Sequence, residues 1–183
     1  MDLIPDMHIG WMNGWLMLAI FYTLFGLFLL ICPKGVVKKL YSVAGWSKRE
    51  YILSALGKPF SLACIGLMIY SPIKVGTIVF WIGFVLYIIG MLVMFIALFE
   101  YRSAPVNELV QTGIYKYSRN PQWAGLALIF YGTAIMVGNG LAVLLLSGTQ
   151  VLYHFRIEGE ERACLAAYGD PYRKYKDSVR RYI

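Results

Sequence analysis

The chain reads as an all-α, polytopic membrane protein of about five transmembrane helices. The last two form a helical hairpin, and a C-terminal amphipathic helical tail follows in the cytoplasm. Three observations predict this. Hydrophobic residues fill 59% of the 183 positions and charged residues 15%, where a soluble domain carries about a quarter charged, and a soluble chain of this length has no interior large enough for so much apolar surface. The apolar residues fall in long runs, the pattern hydrocarbon selects because a helix satisfies its own backbone groups there. The net charge of +7 collects in the gaps between runs, as the positive-inside bias requires. A nucleic-acid binder would instead spread Lys and Arg over a polar surface with stacking aromatics.

The elements follow in order. Asp2 and Asp6 open the chain, the reverse of a signal peptide's basic start, so the first apolar run is expected to be a retained helix. That span covers about Trp11 to Ile31. A basic stretch with Lys34, Lys38, Lys39, Lys48 and Arg49 separates it from a second span, roughly Ile52 to Tyr70, interrupted at Lys58-Pro59. Ser71-Pro72 closes the second span, and a third, about Val75 to Phe99, is uncharged until Glu100 and Arg102. The stretch from Trp123 to Val151 is too long for one crossing, and Gly138-Asn139-Gly140 inside it is a strong turn signal, which predicts the hairpin. Placing the N-terminus outside and the C-terminus in the cytoplasm puts every basic gap on one side; either a plasma membrane or an endoplasmic reticulum membrane satisfies this. With no repeat or low-complexity linker, residues 1–183 read as one domain, with 1–100 a three-helix part and 101–183 the part that carries the chemistry.

Two polar segments, 101–121 and 154–183, fall on the same cytoplasmic side and flank the hairpin, so the hairpin is expected to bring them together around a water-soluble ligand. Thr112-Gly113 suggests a turn, and Asn120-Pro121 has the form of a helix cap followed by proline at the first helical position. Gly169 fits a helix end and Asp170-Pro171 a helix start, while Tyr168, Tyr172 and Tyr175 recur at helical spacing. On these features alone, Tyr115, Tyr117 and Trp123 also fit an interfacial aromatic belt, with Lys116 and Arg119 facing lipid phosphates. Cys32, Cys64 and Cys164 show no paired spacing, and His8 and His154 are too few to complete a zinc site, so no metal is expected.

Taken together, Leu109, Val110, Thr112, Gly113, Tyr115, Arg119, Pro121 and Trp123, followed after the hairpin by Glu160, Glu161, Tyr168, Gly169, Tyr172 and Tyr175, carry a pattern. Its order and spacing over residues 107–182 resemble the C-terminal signature of the isoprenylcysteine carboxyl methyltransferase and phospholipid methyltransferase family. The resemblance implies an integral membrane enzyme that uses S-adenosylmethionine. It places Leu109, Val110, Gly113, Tyr115, Asn120, Pro121, Trp123, Glu160 and Glu161 at the cofactor, and Arg156 at the substrate, with Arg119 as a second candidate anion clamp. Carboxyl methyltransferases of the family carry histidine before the proline, whereas this chain carries Asn120, as some phospholipid N-methyltransferases do. The acceptor therefore stays open between a prenylcysteine-like carboxylate, a phospholipid-like amine and another lipophile.

The implied chemistry suits these residue types. A carboxylate binds ribose hydroxyls or an ammonium, aromatic faces suit a sulfonium cation, and a guanidinium grips a carboxylate or phosphate at two points. Methyl transfer is an in-line displacement that needs orientation more than acid–base machinery, and orientation alone supplies up to roughly 7–11 kcal/mol in ideal cases. The expected partners are the lipid bilayer and a lipophilic or amphiphilic substrate, not nucleic acid. Two other readings fit parts of the pattern: an NADPH-dependent membrane reductase of the sterol reductase type, through Glu161-Arg162-Ala163-Cys164 and Tyr168-Gly169, and a non-catalytic membrane scaffold.

Overall fold

The computed structural model describes residues 1–105 and 108–182. Asn107, with which the first signature segment opens, lies outside the described residues. Among the described residues, seven α-helices account for most of the fold: α1 (Trp15–Ile31), α2 (Lys34–Leu40), α3 (Lys48–Tyr70), α4 (Ile78–Ser103), α5 (Pro121–Met136), α6 (Gly140–Tyr168) and α7 (Asp170–Ser178), with a short 3-10 turn at Gly113–Lys116. Among the described residues the only β pairing is two isolated bridges, Asp2 with Asn139 and Asn13 with Pro72. Three helices, α3, α4 and α6, are long and apolar enough to cross a membrane. The helices α1 and α5 are shorter, 17 and 16 residues, or about 24–26 Å at 1.5 Å per residue.

Glycine decides how α4 and α5 meet. Gly83 faces Gly132, and Gly90 faces Gly125, so the two helices run antiparallel with their backbones nearly touching. A Cβ on Gly90 would lie 2.7 Å from the Ile129 nitrogen and 2.8 Å from the Gly125 carbonyl oxygen. In hydrocarbon there is no water-driven force to pull helices together, so such close packing supplies the attraction. The seven-residue spacing keeps both glycines of each helix on one face.

The other long pair, α3 against α6, is joined by larger and more polar groups. The Tyr153 ring lies over Gly57, and its hydroxyl is 2.9 Å from Ser61 Oγ. Toward the opposite end of the pair, Cys64 Sγ donates to the Ala142 carbonyl at 3.5 Å. Helix α1 packs on α4, where the Tyr87 hydroxyl donates to the Met17 carbonyl at 2.8 Å and Phe28 meets Phe95 and Phe99 edge-on.

The hairpin turn falls at the glycines. Gly138 adopts φ +68°, a conformation that favours glycine, and buried Asn139 caps α6 by accepting from the Ala142 amide at 2.9 Å while donating to Ser71 Oγ at 2.9 Å. The first residues lie across this turn: the Asp2 amide donates to the Gly138 carbonyl at 3.1 Å, and the Gly140 amide donates to the Asp2 carbonyl at 2.8 Å.

The structure revises one expectation. The last apolar run and the head of the polar tail are one helix: α6 is continuous for 29 residues, from Gly140 to Tyr168. Its apolar part ends near Tyr153, and the polar remainder continues the same rod. Leaving hydrocarbon removes the need for apolar side chains but not the backbone hydrogen bonds, so hydropathy marks the exit and not the helix end. The helix stops at Gly169, with φ +57°, and α7 restarts at once with Pro171 in its first turn, as those residues predict.

Candidate active site

A cavity of about 590 Å³ opens where α1, α2, α4, α5 and α6 converge, within the size range of small-molecule sites. Its inner part is apolar, with Phe21, Phe25, Met94, Leu98, Leu126 and Phe130, and its polar rim includes Lys39, Asn120, Arg156, Glu160 and Glu161. Of the eleven residues that the sequence nominates, ten line this one cavity: Leu109, Val110, Tyr115, Arg119, Asn120, Pro121, Trp123, Arg156, Glu160 and Glu161.

Gly113 is the exception, and its role is local. It takes φ +52°, and a Cβ there would sit 1.7 Å from Glu100 Oε1. The space it leaves lets the Glu100 carboxylate accept from the Ile114 amide, at 2.9 Å to Oε2. Glu100 at the end of α4 thereby fixes the start of the 3-10 turn. That turn seats the buried Tyr115, whose hydroxyl donates to the Ala97 carbonyl at 3.3 Å and accepts from Gln122 Nε2 at 2.9 Å.

The adjacent glutamates of α6 have different surroundings. Glu160 Oε2 accepts from the Trp123 indole at 2.9 Å, and its Oε1 accepts from Arg156 Nε at 3.1 Å. The Arg156 guanidinium is stacked between two tryptophans, 5.2 Å from the Trp46 ring and 5.1 Å from the Trp123 ring. Burial pushes the Glu160 carboxyl up, against the pull of Trp123 and Arg156.

Glu161, 5% exposed, is the centre of a denser network. Its Oε1 accepts from Arg119 Nε at 3.2 Å and Nη2 at 3.1 Å, from Asn120 Nδ2 at 3.2 Å, and from Arg181 Nε at 3.1 Å. Its Oε2 accepts from Arg181 Nη2 at 3.0 Å. Burial pushes this carboxyl up, but the two guanidiniums outweigh it and hold the group below the usual carboxylate range. Arg119 also donates through Nη1 to the Lys176 and Val179 carbonyls, so it ties the segment before α5 to the last turn of α7 and the residue after it.

Asn120 stands at the cap position of α5, but its side chain accepts no capping bond. Its amide instead donates to Glu161 and to the Arg181 carbonyl. Of the three spaced tyrosines, Tyr172 and Tyr175 are buried, and the Tyr175 hydroxyl donates to the Tyr115 carbonyl at 2.7 Å. Burial holds both phenols well above their usual range, so they remain donors.

The first half of the chain contributes residues that sequence reasoning missed. Lys39 of α2 lies over the rings of Tyr101, at 5.1 Å, and Tyr168, at 5.7 Å, and donates to the Glu108 carbonyl at 3.2 Å. Trp46 packs on Gly159, where a Cβ would come within 3.0 Å of the indole. One lysine of the basic stretch after the first span and one tryptophan carry no pattern that points to this site; only the fold places them. The rim has therefore already shown that its aromatic faces receive cations, which is the fit a sulfonium group needs.

A family model for phospholipid methyltransferases matches residues 72–171, more than half of the chain. The chain belongs to the phospholipid methyltransferase family. Among curated relatives, a protein-S-isoprenylcysteine O-methyltransferase of Schizosaccharomyces pombe (strain 972 / ATCC 24843) is 38% identical over 74 residues. That match covers 39% of this chain and 30% of the relative, so the chain spans less than a third of that protein's length. No solved structure matches. The chain is thus a member of a methyltransferase family, and three of its described helices are long and apolar enough to cross a membrane.

Proposed function

We propose that this protein transfers a methyl group from S-adenosylmethionine to a lipophilic or amphiphilic acceptor, a prenylcysteine-like carboxylate or a phospholipid-like amine, at the cytoplasmic face of a membrane. The observation that carries this reading is one cavity with apolar and polar walls, lined by both signature segments and by the first helix. An amphiphile matches such a cavity, with its chain against Phe21, Phe25 and Phe130 and its head at Arg156.

When bound, S-adenosylmethionine supplies a methyl group on a positively charged sulfur, already activated for displacement. The protein's part is to bind, orient and keep the site dry. Trp123 and Tyr115 offer aromatic faces, Leu109, Val110 and Pro121 offer apolar walls, and Glu160 and Glu161 offer carboxylates to the cofactor. Glu161 Oε2 accepts one bond within the protein and keeps acceptor capacity for a ligand. Arg156, pre-oriented by its two tryptophans and Glu160, presents a guanidinium to the acceptor's anionic group. Arg119 acts one step removed, by holding Glu161 and the tail. In the membrane, α1 and α5 complete five crossings, with the first residues outside and α7 in the cytoplasm.

The test is a transfer assay. Purified protein incubated with native lipid extract and methyl-labelled S-adenosylmethionine is expected to yield a labelled lipid whose mass identifies the acceptor. Equilibrium titration with S-adenosylmethionine and with NADPH separates the reductase reading: tight NADPH binding without binding of the methyl donor would overturn the proposal.

A further inference from the structure

The residues after α7 fold back as a strap over the segment that leads into α5. The Arg119 amide donates to the Arg180 carbonyl at 2.9 Å. Ser118 Oγ, at 3.3 Å, and Asn120 Nδ2, at 3.2 Å, both donate to the Arg181 carbonyl. The Arg119 side chain donates to the Lys176 and Val179 carbonyls. Three consecutive residues, Ser118, Arg119 and Asn120, therefore each place a donor on the strap backbone. The strap answers with one side chain, Arg181, which grips both oxygens of Glu161 at 3.1 and 3.0 Å and lies 3.0 Å from His154 Nε2. The Tyr182 hydroxyl, 2.8 Å from His154 Nδ1, fastens the next residue to the same helix.

We propose that Arg181 is a positioning residue for methyl-donor binding: the strap 179–182 fixes the Glu161 carboxylate so that one oxygen is saturated from within and the other is held for the donor. This rests on the proposed function above. Three points carry it. Oε1 of Glu161 receives four donors and Oε2 one, so the carboxylate cannot rotate without breaking several bonds. Paired two-point contacts of a guanidinium with a carboxylate fix orientation as well as charge. Arg181 also lies beyond residues 72–171, outside the stretch that the family model matches. The groups that face Arg181 are Glu158, at 3.6 Å, Glu161, His154 and Tyr182, with Arg119 on the far side of Glu161.

The experiment uses the full chain in detergent micelles, with binding of labelled S-adenosylmethionine as the readout. Arg181→Ala is expected to weaken binding at least about tenfold, Arg181→Lys to restore part of that loss, and a chain ending at Ser178 to match Arg181→Ala. The pH profile supplies a readout that loose packing does not move. With one of its guanidiniums removed, Glu161 protonates at higher pH, so the acid limit of donor binding shifts upward in Arg181→Ala and returns toward wild type in Arg181→Lys. Thermal melting of each variant checks the fold, and a variant that melts early is replaced by Arg181→Lys as the deciding arm. Unchanged affinity and an unmoved acid limit in Arg181→Ala would overturn the inference, as would tighter binding by the shortened chain. Failure of the wild-type protein to bind S-adenosylmethionine would instead overturn the proposed function.

Discussion

The pair α4–α5 and the group α6–α7 wall the same cavity but are held in opposite ways. Between α4 and α5, backbones come together at Gly83, Gly90, Gly125 and Gly132, with backbone atoms of the facing helix nearest to each. Between α6, the strap and the segment before α5, contact runs through long charged side chains: Arg119, Arg156, Arg181, Glu160 and Glu161. Glycine contacts tolerate substitution poorly because the closest neighbouring atoms are backbone and cannot move aside. Charged contacts tolerate exchange of one donor for another but punish an unpaired charge. The first wall sets where the site is, and the second sets what it holds.

Four changes break or sharpen this contrast. Gly132→Leu should have the largest effect, because a Cβ there would already lie 2.6 Å from both the Gly83 carbonyl oxygen and the Tyr87 nitrogen. A loss at or beyond the ~3 kcal/mol end of the overpacking range is expected, read as collapse of folded yield in detergent; a normal yield would refute the close pairing. Arg119→Ala should come next, at about 3 kcal/mol, because it leaves a buried carboxylate short of a partner. The accompanying pH dependence has a definite sign. The Glu161 carboxyl is held below its ordinary 4.5, so the stability it contributes is complete above that value and drains away as pH falls through the lowered one. Acid unfolding curves of wild type and Glu161→Gln should therefore converge at low pH, part as pH rises toward 4.5, and keep their full separation above it.

Gly113→Ala should cost less but still measurably, about 1–2 kcal/mol, through the positive φ and the collision with Glu100. Donor binding should weaken with it, because the turn that seats Tyr115 moves; a Glu100→Ala background should soften the penalty. The smallest effect is expected for Arg173→Ala. It loses only an exposed pair with Asp170, and its change in stability should stay within about 0.5 kcal/mol, with donor binding unaltered.

The legibility of the site followed the kind of interaction. Leu109, Val110, Tyr115, Asn120, Pro121, Trp123, Glu160 and Glu161 could be read ahead because they recur in a spaced pattern, and one cavity collects them. Gly113 belonged to the same pattern but serves the turn. Arg181, Trp46 and Lys39 were invisible because each acts as one residue brought in by the tertiary fold. In the fold, apolar runs and Gly138-Asn139-Gly140 placed the helices and the hairpin turn. The seven-residue glycine spacing in α4 and α5 was available in the sequence and went unused; it specifies which helices pair, which hydropathy does not. The unbroken length of α6 escaped because the charged run that begins at Arg156 looks like an ending when only transfer from water is considered.

That unbroken length has a mechanical consequence. Glu161 stands 21 residues beyond Gly140 on one continuous helix, or about 31 Å along the helix from the hairpin turn at 1.5 Å per residue. A rotation of about 5° at the turn would carry the carboxylate by about 2.7 Å, close to the length of one hydrogen bond. The helix is a lever, with Asp2 and Asn139 gripping its short end and two arginines its long end. Small rotations at the hairpin turn are therefore magnified into displacements at Glu161, which the ion pairs there must resist.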